Sequence, residues 1–119
     1  MNGGPHREFR SGDRGAGAVL ALAIIAAVVT IGLFGVGLAA AMSARQRVIG
    51  VSDLAALAAA DAASGAVAGL PCEVASRVAA GAGARLEACQ VDGLVVDVTA
   101  GARFAGIPIT ARSRAGPPA

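Results

Sequence analysis

The sequence predicts an α+β protein: a long apolar transmembrane helix near the N-terminus, a short second helix, and a small antiparallel three-stranded meander. Three observations predict it. No charged residue interrupts the stretch from Gly15 to Ala44. Pro71 opens a short amphipathic segment that Gly81 and Gly83 close. Beyond it, alternating segments flank Asp92-Gly93, and another follows over 107–114.

The long helix comes first. As a helix, residues 15–44 span about 45 Å at 1.5 Å per residue. A hydrocarbon core needs only about 20 residues, so the central part, Ala18 to Leu38, suffices. Ala39-Ala40-Ala41 resembles a signal-cleavage site. However, the apolar run before it is much longer than the ~7–15 residues of a secretory h-region, which favours an anchor. Residues 1–14 form a basic leader with Arg7, Arg10 and Arg14, and Arg45 and Arg47 follow the span. That charge bias, together with two cysteines suited to an oxidising compartment, predicts a single-pass cell-membrane protein. Its N-terminus is expected in the cytoplasm and its C-terminal domain outside. Gly35/Ala39 and Gly37/Ala41 are small-xxx-small pairs that let helices approach closely, although membrane helices are generally rich in such residues.

Residues 45–68 continue the helix, because Ala and Leu are strong helix formers, with Gly50 as a point of loosening. Val51, Leu54, Ala55, Leu57 and Ala58 form an apolar stripe on neighbouring turns. Asp61 falls between Leu54 and Leu57 on that stripe, and Asp53 lies to one side. A buried carboxylate is costly without a partner. Asp61 is therefore expected to pair with Arg77 or Arg85, to meet a polar partner, or to be solvated where the helix frays.

Residues 69–114 make the small domain. Gly69-Leu70-Pro71 breaks the chain, and Pro71 suits the first turn of a helix running to Ala80. Glu73 and Arg77 are spaced as an i,i+4 pair, and Val74 and Val78 share a face. Asp92-Gly93 signals a two-residue hairpin. With Val91 opposite Leu94, one face carries Cys89, Val91, Leu94, Val96 and Val98, and that face is expected inside. Cys89 then faces the helix that Cys72 begins. A disulfide between them would stabilise the domain by about 3 kcal/mol in the chain-entropy account. A reactive thiol pair is the alternative, but the spacing is not Cys-x-x-Cys. Over 107–114, Ile107, Ile109 and Ala111 alternate with Thr110, Arg112 and Arg114, and Pro108 marks an edge strand. Residues 115–119 read as a flexible tail.

Composition excludes several function classes. The ten basic residues are all Arg, the net charge is only +2, and Phe is the sole aromatic type. Scattered arginines without stacking platforms do not make a nucleic-acid footprint. One His and two Cys do not supply a zinc set. No nucleophile with a base is evident. The reading is therefore non-enzymatic, with no cofactor, no metal and no small-molecule substrate.

An ordered set of features carries a resemblance: the basic leader ending Arg14-Gly15, the apolar helix, and Ser52-Asp53-Leu54-Ala55-Ala56-Leu57-Ala58-Ala59-Ala60-Asp61, then Pro71-Cys72, Cys89 and Val91-Asp92-Gly93-Leu94. Over roughly residues 14–116 the chain resembles the TadE/TadG-like proteins of Flp (tight adherence) pilus assembly. More narrowly, it resembles the short TadE-like proteins of the helicase/secretion-neighbourhood type. The resemblance implies a pilin-like or pseudopilin-like architecture whose partners are the membrane and other pilin-like or secretion-system subunits. It makes Asp53, Leu54, Leu57 and Asp61 the family-motif helix. It also implies prepilin peptidase as a partner, cleaving between Gly15 and Ala16. The fifth residue of the processed chain is then Leu20, where pilins usually carry Glu. A stand-alone envelope protein that keeps the family shape is the alternative.

Overall fold

The apolar run and the Ala-rich stretch after it form one helix. The computed structural model describes residues 3–118, with side chains from residue 13 onward. The leader side chains of His6, Arg7 and Arg10 lie outside the described residues. In order, the elements are α1 (Gly3–Ala63), α2 (Pro71–Gly81), β1 (Arg85–Asp92), β2 (Val95–Phe104) and β3 (Ile107–Ala115). The chain divides into two compact units, Met1–Ala39 and Ala40–Ala119.

Among the described residues the first unit is helix only. Its large side chains, among them Leu22, Ile31 and Phe34, are exposed. The stretch Asp13–Ala63 is long and apolar enough to cross a membrane, with a mean hydropathy of 2.8 over its candidate window and none of that window buried. The Thr30 hydroxyl donates to the Ala26 carbonyl at 2.7 Å, so this polar group in the apolar run is satisfied locally.

The second unit is a three-stranded antiparallel sheet, order β1-β2-β3, with helices on one face. β2 is central, and its Val96, Val98 and Ala100 are fully buried. Against them pack Ala55, Ala56 and Ala59 of α1 and Ala75 of α2 in one cluster, and Val51 of α1 and Ala79 of α2 in a second. Alanines allow backbones to approach closely but bury little area each. The largest fully buried side chains are Val96, Val98 and Ser52. So thin a core gains from a covalent staple.

This packing corrects the expected stripe on α1. Val51, Ala55, Ala56 and Ala59 pack against the sheet, Ser52 and Ala62 are also buried, and Leu54 and Leu57 are exposed. Gly50 does not interrupt the helix. The helix ends at Ala63, earlier than the expected 68, because Gly65 adopts φ +82°. The Gly65 N–H donates to the Ala62 carbonyl and the Ala66 N–H to the Asp61 carbonyl, a Schellman ending.

Leu70 is extended before Pro71, as a residue preceding proline must be. α2 closes with the same motif. Gly83, at φ +76°, donates to Ala80, and Ala84 donates to Ala79. The Glu73–Arg77 pair is absent from the ion pairs formed among the described residues; the Arg77 guanidinium instead lies beside Gly69.

The first hairpin is displaced by two residues from the expected pairing. Asp92 pairs with Val95, Val91 with Val96 and Cys89 with Val98, so the loop is Gly93-Leu94 rather than Asp92-Gly93. Gly93 alone carries a positive φ, +62°, the pattern of a turn with glycine first. A shift of two preserves the faces. Cys89, Val96 and Val98 point inward as expected, while Leu94 moves into the turn and Val91 is exposed at the strand end. An irregularity between Leu86 and Ala88 accommodates Glu87, whose side chain lies over Gly101. β2 runs on to Phe104 and turns at Ala105-Gly106, both at positive φ. β3 is an edge strand bearing Pro108, and it includes Ala115, which pairs with Val96 instead of beginning a tail. On the outer face Asp97 draws Arg112 to 3.4 Å and Arg114 to 3.9 Å.

Candidate functional site

The motif residues occupy the side of α1 turned away from the sheet. Leu54 is 59% exposed and Leu57 57% exposed. Asp61 is exposed one turn beyond Leu57, so it bears no burial cost. It forms no ion pair with Arg77 or Arg85; Arg85 sits 3.6 Å from Glu87 instead. The backbone of Asp61 closes the helix, its carbonyl accepting from the Ser64 hydroxyl and from the amides of Ala66 and Val67. Asp53 has a different role. Its Oδ1 accepts a hydrogen bond from the Ser113 hydroxyl of β3, tying α1 to the edge strand.

Leu57 is a ridge between two shallow hollows. One, of about 290 Å³, is bordered by Asp61, Ser64, Leu94 and Pro117. The other, of about 370 Å³, is bordered by Asp53, Ser113, Arg114 and Gly116. Gly116 is needed there because a Cβ would come within 2.9 Å of the Val95 Cγ2 atom. Leu94, exposed by the hairpin shift, therefore extends the apolar surface of Leu57. The pairing first expected from the sequence did not place Leu94 there. The positive φ required of one central turn residue, which Gly93 meets more easily than Asp92, was the available signal.

Cys72, in the first turn of α2, and Cys89, in β1, form a disulfide with Cα atoms 5.9 Å apart and a sequence separation of 17. Gly15 and Ala16 lie on α1, exposed, with open space around Gly15. In the first unit, Leu33, Phe34, Gly37 and Leu38 surround an open apolar hollow. Among the described residues no group of three or more His, Cys, Asp or Glu side chains is arranged to hold a metal ion.

No family model, curated protein or solved structure matches the chain.

Proposed function

We propose that the chain is a non-enzymatic, pilin-like membrane protein, acting as a minor subunit or assembly accessory of a Flp-type pilus or a related secretion machinery. The observation that carries this reading is the double use of α1. One unbroken helix holds the candidate membrane span and the alanine face on which a disulfide-stapled domain is built. In this reading the leader is cytoplasmic, the small domain lies outside the membrane, and prepilin peptidase cleaves between Gly15 and Ala16. The outward ridge of Leu54 and Leu57, flanked by Asp53 and Asp61, is the surface offered to neighbouring subunits. An apolar centre with a polar rim is the usual anatomy of an interface.

The intact mass of protein from its native membrane tests the reading. A chain beginning at Ala16 is expected. A chain retaining the leader favours the second reading, a stand-alone envelope protein, for which Leu20 at the pilin glutamate position is the specific motive. A photo-crosslinker at Leu57 separates the two further. Capture of pilus or secretion subunits is expected, and their consistent absence would sink the assembly role.

A further inference from the structure

Where α1 leaves its uncharged stretch, the domain has a cleft whose chemistry the assembly reading does not use. It encloses about 260 Å³ and is lined by Arg47, Val48 and Val51 of α1, and by Arg103, Phe104 and Ile109 of the second hairpin. Its floor is apolar, since Val48 and Val51 are buried and Phe104 and Ile109 half-buried. Arg47 and Arg103 are exposed, and no Asp or Glu lines the cleft. Among the described residues, Arg85, Arg112 and Arg114 each have a carboxylate within 4.0 Å, whereas Arg47 and Arg103 have none.

Two unpaired guanidiniums above an apolar floor suit an anionic amphiphile. The planar donor fork matches phosphate oxygens, and the floor accepts the apolar part. The turn after α2 adds the end of a helix dipole, about half a negative charge. Two full positive charges outweigh it, and the carbonyls of Val78, Ala79 and Ala80 are already occupied by backbone N–H groups.

Position selects the amphiphile. The uncharged stretch 15–44 spans about 45 Å, the thickness of a bilayer with both headgroup layers. Arg47 follows within a single turn, about 4.5 Å further along the axis. A long arginine side chain reaches headgroup phosphates from there. The cleft is smaller than the ~300–1,000 Å³ of ordinary small-molecule sites, so it suits a headgroup with its glycerol and not a whole lipid. Resting on the reading that α1 spans a bilayer, we propose that Arg47 and Arg103 hold the phosphate of an anionic phospholipid, with its glycerol against Val48 and Phe104.

The test uses the full chain in two arms. In vesicles of phosphatidylcholine alone, resistance to alkaline extraction checks the spanning reading without involving either arginine. Release there would sink both the reading and this inference. In the second arm, protein is reconstituted in equimolar phosphatidylglycerol and phosphatidylcholine, and the lipids it retains in detergent are counted by native mass spectrometry. Preferential retention of phosphatidylglycerol is expected. Arg103→Gln should lower that retention about fivefold and Arg47→Gln/Arg103→Gln further, while Arg112→Gln, which removes the same charge elsewhere, leaves it intact. Equal retention of the two lipids, an equal loss in Arg112→Gln, or full retention in the double variant would overturn the inference while leaving the spanning reading standing. Release of the lipid by millimolar inorganic phosphate would also overturn it, by assigning the cleft to free phosphate.

Discussion

Ala105 sits at φ +50°, followed by Gly106 at φ +78°, in the turn between β2 and β3. Both central residues of this turn are left-handed, as a tight primed turn requires. A side chain there costs about 1–2 kcal/mol, less for Asn, whose short polar group tolerates the conformation. Ala105→Asn is therefore expected to stabilise the sheet by about 0.5–1 kcal/mol, read from slower hydrogen exchange at the amides of β2 in the full chain. Gly93→Ala is expected to act in the opposite direction by about 1 kcal/mol. This turn was not legible beforehand because Ala105 is not a turn-forming residue by type. The Asp92-Gly93 signal was legible, but it permits two loops that differ by one position, and only the φ of each residue decides between them. Asp61 was similarly ambiguous. Its place beside Leu54 and Leu57 was readable from the helical period, but which side of the helix those leucines occupied was not.

That ambiguity belongs to the element scale. The helical period places Leu54 and Leu57 on the expected apolar stripe, but α1 buries its alanines. In an ordinary amphipathic helix the larger apolar residues face the core. Here the room beneath α1 is already filled by Val96 and Val98, and only small side chains fit between. Ala59→Leu is expected to destabilise the domain by about 1–3 kcal/mol through overpacking. Leu57→Gln, on the outer side, should change stability by no more than about 0.5 kcal/mol. Exchange of the β2 amides distinguishes the two. Cys72→Ser should cost about 2–5 kcal/mol, as loss of a disulfide does in small domains, with reductant reproducing the effect on the native chain. The disulfide pairing was readable because a two-residue register shift leaves Cys89 on the inner face. The end of α1 is less legible than its start, because Ser64-Gly65, which ends it, is a weaker breaker by type than Gly69-Leu70-Pro71 a few residues on.

At the scale of the whole molecule, the order of elements followed directly from charge and periodicity. The absence of charge over 15–44 could hardly have another structural outcome than a long helix. If α1 spans a bilayer, an arginine near its middle is expensive, about 2.5–3.5 kcal/mol on insertion scales. Val28→Arg is therefore expected to shift the protein towards the alkali-extractable fraction, while Thr30→Val leaves it in the membrane. Equal extraction of both variants would remove the basis for the spanning reading. Function was less legible than fold because the residues that would carry it, Leu54, Leu57, Arg47 and Arg103, take their meaning from which surface they share. Sequence spacing within one helix does not show what a distant hairpin places beside it.

The disulfide closes a loop that contains neither α1 nor most of the sheet. The connection of residues 64–70 is thus the only covalent route from α1 to the rest of the domain. One protease cut there would turn the molecule into a two-piece complex, with the helix as one partner and the stapled α2–sheet fragment as the other. Shedding of that fragment would then be set by an off-rate, governed by how long the alanine and valine surfaces stay in register. Oxidising or reducing conditions would alter it only by loosening the fragment itself.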